Sequence, residues 1–257
     1  MAFDSPPNRR CFLGLMAGAS LAALGRTRAA ATEELIGRLI AQSREFPAIS
    51  RRIDVISAGL LGRRYRANTL IGGPRTPEIF VVRDDGFDCV TYCETVLAAA
   101  NAYDLSSFEA SLRAIRYRNA QVEWRERNHD FAAWCERNVA NGLCRTLTPG
   151  ATVEIRKSIT IPRELGRRNY SIAATPRSVL LAHKDALADG DIMGFVSLRP
   201  GLDYYHSGFV MFGPKGGLLL RHASLSHGRV VNERIEKFFA VNRVHYVTVL
   251  RPQDKAA

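Results

Sequence analysis

"GFDCVTYCETVLAAA", residues 86–100, joins a glycine-bearing loop to an apolar helical pattern. Val90, Cys93, Val96 and Leu97 recur at three- and four-residue intervals, and Ala98 to Ala100 continue the run. Asp88 suits an N-cap, which places Cys89 in the first helical position. There the unpaired backbone N–H groups and the positive end of the helix dipole favour an anion, so a thiol is biased toward the nucleophilic thiolate. A free cysteine also packs well as a small buried hydrophobe. This stretch leaves both roles open.

Toward the N-terminus, "MAFDSPPNRRCFLGLMAGASLAALGRTRAA" has the build of an export signal: a charged start, an apolar run from Cys11 to Leu24, and small residues near Ala29. The apolar run is too short and glycine-rich to read as a membrane span. Arg9 and Arg10 before Cys11-Phe12-Leu13 resemble a twin-arginine motif, and Arg26 and Arg28 match the basic segment that such signals carry. Thr27-x-Ala29 or Ala29-x-Ala31 is the expected cleavage site, and nothing before Cys11 suggests a lipid anchor. Residues 1–31 are therefore expected to be a signal, and residues 32–257 a single domain in the periplasm or outside the cell.

The chain has 257 residues and a formal net charge of +11. Most of that charge remains without the signal, which suits an anionic partner such as peptidoglycan. Nucleic acid is disfavoured, because the arginines are scattered and no basic helix, zinc knuckle or RNP-like aromatic set is present. Cys89, Cys93, Cys135 and Cys144 include no CxxC pair and no zinc spacing, so no metal site is expected. Cys135 and Cys144 could pair if the chain reverses at Asn141-Gly142, or could stay reduced.

Helical patterns fill the first half. Leu35, Leu39 and Ile40 mark one helix from Thr32, and Ile49, Ile53, Ile56 and Leu60 mark a second. Phe108, Leu112 and Ile115 mark another, and a further helix is expected from about His129 to Gly142. Residues 62–78 read as a loop and "IFVV" (79–82) as a strand. After residue 150, short apolar runs at 191–198, 204–213, 217–224 and 245–250 read as strands of a mainly antiparallel sheet, with a short helix at 232–242. Helices first and strands later predict one α+β domain with helices covering one face of the sheet.

His206 starts one predicted strand and His222 ends the next, so an antiparallel connection through "GPKGG" brings them to one sheet edge. If the Cys89 helix starts at that edge, a thiol, an imidazole base and a group to orient the base converge. Alternation places His222 on the face shared with Leu218 and Leu220, while His227 falls in a turn.

These residues also carry a resemblance. "FDCVTYCETVLAAA", "IRYRNAQVEWRERNHDFAAWCERN" and "DIMGFVSLRPGLDYYHSGFVMFGPKGGLLLRHAS" resemble, in order, the DCVTFVE, IRYR…RNH…W…N and GDI…GLD…H.G…HAS segments of the bacterial family known as domain of unknown function 1460, NlpC/P60-like cell-wall amidases. The resemblance implies an NlpC/P60 (papain-like) cysteine hydrolase fold and a thioester route needing no metal or organic cofactor. It further implies Cys89 as nucleophile, His206 as base, His222 as its orienting partner, and the N-acetylmuramoyl–L-alanine amide as scissile bond. Ser207 and Cys93 stand where valine is common in such proteins, and neither is expected to touch the chemistry. Asp130 replaces a common aromatic after His129. Asp88, Asn128, His129, Asp203 and Tyr205 are the candidate substrate-side residues. Asp88 serves first as a helix cap, Asp203 suits a turn equally well, and Tyr205 and Trp124 offer rings to a sugar. A γ-D-glutamyl endopeptidase, an acyltransferase using the same thioester, and a non-catalytic peptidoglycan-binding module are the competing readings.

Overall fold

A computed structural model describes residues 34–254; the twin-arginine-like segment and both cleavage-site candidates lie outside them. Residues 34–43 are helical (α1), followed by α2 (Ile49–Gly59) and the short strands β1 (Arg64–Tyr65), β2 (Ile71–Gly73), β3 (Thr76–Ile79) and β4 (Gly86–Phe87). Next come α3 (Cys89–Ala100), α4 (Leu105–Arg116) and α5 (Phe131–Ala140), then β5 (Cys144–Leu147), β6 (Val153–Ile159), β7 (Arg168–Pro176) and α6 (Arg177–Ala182). The chain closes with β8 (Ile192–Val196), β9 (Tyr204–Phe212), β10 (Leu218–Ser224), β11 (Arg229–Arg234), α7 (Ile235–Asn242) and β12 (Tyr246–Pro252).

The strands form a mixed α+β fold around a large, mostly antiparallel sheet ordered β4-β1-β11-β10-β9-β8-β12-β7-β6, with β5 also paired to β12 and β2-β3 apart as a hairpin. Within that sheet the β1–β4 pairing is parallel. The central strands are apolar at nearly every position because both faces are covered. Phe209, Met211 and Ala223 face a core built by α1 to α5, with Ile36, Ile40, Ile53, Tyr92, Val96 and Trp134. The alternate residues Phe195, Val210, Leu220 and Val247 face Leu180 of α6 and Ile235, Phe238 and Phe239 of α7. This corrects the expectation of a single covered face: the apolar stripe of α7 needs a surface, and alternation along β8 to β10 supplies one.

Several predicted elements shift. The apolar run 79–82 contributes only Ile79 to β3. Beyond it, Val81 uses its carbonyl to accept from Arg116, and the Phe80 ring lies 4.2 Å from the Arg113 guanidinium. Residues 62–78, read as loop, contain three short strands, and residues 232–234 belong to β11 rather than to the helix after it. The hairpin β6–β7 and strand β5 have no clear strand pattern in the sequence. Cys135 and Cys144 are both free thiols. Helix α3 is tied to α4 by the buried pair Arg116–Glu94 at 2.8 Å, both side chains 3% exposed.

Candidate active site

The start of α3 follows from its sequence. Asp88 caps it, its carboxylate accepting the Thr91 N–H at 2.8 Å while the Thr91 hydroxyl accepts the Asp88 N–H at 3.0 Å. This capping box engages the Thr91 amide, while the Cys89 N–H is directed at its own sulfur. Cys89 thus occupies the first helical position as its sequence predicts. Its thiol is not biased to thiolate, however. Burial and then the Asp88 carboxylate push it up to about 11, against hydrogen bonding from the Ser207 backbone and hydroxyl, which favours the anion.

Ser207 is the residue the sequence underrated. Its hydroxyl donates to the Cys89 carbonyl at 3.1 Å and accepts from the Cys93 thiol at 3.7 Å. The two departures noted above therefore pair with each other and fasten α3 to β9. Cys93 itself is fully buried, and burial raises its thiol well above the ordinary value. Tyr65, on β1 beside β4, is close enough that negative charge on Cys89 and Asp88 adds to burial in raising its hydroxyl.

The neighbouring residue, His206, looks the other way. Its ring lies 5.3 Å from Phe238 of α7 and 5.9 Å from Phe195. A bulge makes this possible: His206 pairs with Phe195, yet Tyr204, two residues earlier, pairs with Val196. Tyr205 is the extra residue, so Tyr204 packs on Phe131 of α5 while His206 stands on the α7 face. His206 Nε2 meets His222 Nδ1 at 2.6 Å, the two rings nearly perpendicular at 86°. Both rings are held neutral by burial, His206 pushed down to about 4 and His222 to about 3. No hydrogen bond joins Cys89 Sγ to His206 in this state.

The two histidines meet where the sheet parts. The β9–β10 ladder ends at Arg221↔Phe209, although β9 extends back to Tyr204 and β10 forward to Ser224. Gly208 permits the approach: a Cβ there would sit 2.8 Å from His222 Cβ and 3.0 Å from the Arg221 carbonyl. The His206-x-Gly208 spacing thus has a steric cause that a single sequence does not display. His227 lies apart, its Nδ1 at 2.9 Å from the Ser224 hydroxyl.

The candidate substrate-side residues divide. Asp203 is buried and its carboxylate accepts the Ala132 N–H at 2.7 Å, tying β9 to the first turn of α5. Asn128 donates to the Ile115 carbonyl and accepts from Arg137. His129 Nε2 lies 2.7 Å from the Trp124 carbonyl, which requires that nitrogen to carry the proton. His129 lines a cleft of about 340 Å³ with Arg118, Arg125, Arg127, Arg137 and Arg168. Tyr205 is 37% exposed on its bulge.

A family model described as AmiA-like, N-acetylmuramoyl-L-alanine amidase-like, matches residues 55–244. The chain belongs to this family. A crystal structure from Legionella pneumophila, assigned to the domain of unknown function 1460 family, superposes with a TM-score of 0.79 at 21% identity, covering 90% of this chain and 98% of that one. An N-acetylmuramoyl-L-alanine amidase from Bacteroides uniformis gives a TM-score of 0.68 at 24% identity, covering 85% and 99%. A second amidase structure from that organism gives 0.67 at 26%, covering 77% and 97%. No match is found among curated proteins. The family is one of amidase-like peptidoglycan hydrolases, and no helix among the described residues is long and apolar enough to cross a membrane.

Proposed function

We propose that this protein is an exported cysteine amidase of NlpC/P60 type that hydrolyses peptidoglycan fragments at the N-acetylmuramoyl–L-alanine amide bond. The observation that carries the reading is the histidine pair. His206 and His222 are in contact at 2.6 Å on two parted strands, one residue from the serine that holds the Cys89 carbonyl.

His206 uses Nε2 for His222, so Nδ1 is the nitrogen left to receive the Cys89 proton. Because the resting groups are neutral, the thiol proton passes to His206 as sulfur attacks the carbonyl carbon, a general-base step rather than a pre-formed ion pair. The N–H groups of the first turn of α3 face the developing oxyanion. Collapse breaks the C–N bond, and the amine leaves with the proton from His206, giving a thioester. Water then attacks the thioester, its proton going to His206 and back to the departing sulfur. His222 holds the ring of His206. The export route remains that of the twin-arginine-like signal in residues 1–31.

The test is mass analysis of defined muropeptides incubated with the purified chain. Release of a free sugar lactate and a peptide beginning with L-alanine is the expected result. Fragments cut after the γ-D-glutamyl residue would move the activity to an endopeptidase, and recovery of intact substrate would leave a binding module.

A further inference from the structure

A carboxylate that no step above uses faces the far side of the histidine pair. Glu233 on β11 pairs across the ladder with Leu220, so its side chain shares the α7 face with Leu220 and His222. Its Oε2 lies 3.4 Å from His222 Nε2, with the two side chains 10% and 1% exposed. His222 Nε2 is sealed from solvent and makes no hydrogen bond. A buried ring nitrogen left unpaired is unfavourable, and Glu233 Oε2 is the acceptor nearest to this one. Lys237 approaches the other oxygen at 3.9 Å from the solvent side.

A neutral imidazole carries one proton, and the other nitrogen can only accept. The His206–His222 contact joins Nε2 of one ring to Nδ1 of the other, so one tautomer dictates the next.

We infer that Glu233 is a positioning residue: by accepting a hydrogen bond from His222 Nε2–H it makes His222 Nδ1 the acceptor of His206 Nε2–H, which leaves the lone pair of His206 on Nδ1. In the opposite arrangement His222 donates from Nδ1, His206 accepts at Nε2, and His206 Nδ1 carries a proton and is useless as a base. A carboxylate acts here from two residues away, selecting which of two otherwise similar proton arrangements the pair adopts. This inference rests on the reading of His206 as the base toward Cys89.

Histidine-labelled full chain, examined by long-range proton–nitrogen correlation, reads the tautomers without any substrate. The wild type should show His222 protonated at Nε2 and bare at Nδ1, and His206 protonated at Nε2. A wild-type His222 protonated at Nδ1 overturns the inference. Glu233→Met should mix the tautomers and lower kcat by roughly 10–10³-fold, with KM within about twofold. Glu233→Gln, whose amide oxygen still accepts, should restore the wild-type tautomer and most of kcat. A Met variant with unchanged tautomer and kcat also overturns it. If Cys89→Ser is as active as wild type while the tautomers are as stated, the nucleophile assignment fails and the role of Glu233 in the pair survives.

Discussion

Helices α3 and α4 begin alike. Each opens with an aspartate whose carboxylate accepts the N–H three residues on, and whose own N–H is accepted by the hydroxyl of that residue: Asp88 with Thr91, Asp104 with Ser107. Each runs for 12 residues. The surroundings differ. At α4 the cap is exposed, and hydrogen bonds from Ser107 hold the Asp104 carboxyl below the usual range. At α3 the residue after the cap is a cysteine, β9 covers it, and its thiol is pushed up instead. A capping box starts a helix in either setting; what the start can do depends on which strand lies over it.

One variant removes the sulfur and keeps the cap. Cys89→Ser should lower turnover of muropeptides by about 10³-fold or more, with an unchanged circular dichroism spectrum, because a serine hydroxyl is not a comparable nucleophile there. Cys93→Ser should retain most activity. A dead Cys93 variant beside an active Cys89 variant would place the nucleophile one turn further along α3.

Next in size is the loss of the orienting ring. His222→Ala should lower kcat by roughly 10²–10⁴-fold with little change in KM, while His227→Ala stays near wild type. Equal effects of the two variants would mean that the 2.6 Å contact has no part in turnover.

A smaller effect sharpens the difference in charge. A thiol whose value is about 11 exposes only the thiolate fraction, so alkylation of Cys89 by iodoacetamide should rise about tenfold per pH unit between pH 7 and 10. Asp88→Asn removes a charge that raises the thiol, and should therefore speed alkylation at pH 8. A rate independent of pH between 6 and 8 would reveal a thiolate–imidazolium pair and refute the neutral resting state.

The smallest effects separate the two caps themselves. Asp88→Ala should cost about 1 kcal/mol in chemical denaturation and change kcat as well. Asp104→Ala should lower the melting temperature slightly and leave kcat alone. Loss of activity in the Asp104 variant would show that the two helix starts are not independent.

Much of this site was legible because its signals are local. The Asp88–Cys89 junction, the end of α5 at Gly142, and strands β8, β9, β10 and β12 are set by cap chemistry and by runs of apolar residues, and they stand within one or two residues of where the sequence puts them. Strand β6 was hidden because in "VEIRKSI" Glu154 and Arg156 stay in solvent at the sheet edge while Lys157 breaks the apolar alternation on the inward side. Glu233 was hidden because "NERIEKFF" reads continuously as helix, although its first residues complete a ladder with β10. Ser207 and Gly208 needed tertiary knowledge: one meets a helix more than a hundred residues away in sequence, the other makes room for a ring on the next strand.

The bulge at Tyr205 has a consequence for how the length of this segment can vary. Asp203 and Tyr204 are moored to α5, and Ser207 is moored to α3. Between these moorings the chain must turn His206 toward α7, and an odd residue is the means. Shortening the segment by one residue forces a choice: either α5 loses its tether or the imidazole changes sides. The Tyr205 side chain is partly exposed, with its ring 6.1 Å from that of Phe195, but it is the position itself that cannot be dispensed with. Deletion scanning across residues 198–206 should therefore find the loop before Asp203 forgiving and the three residues after it intolerant, whatever their identity.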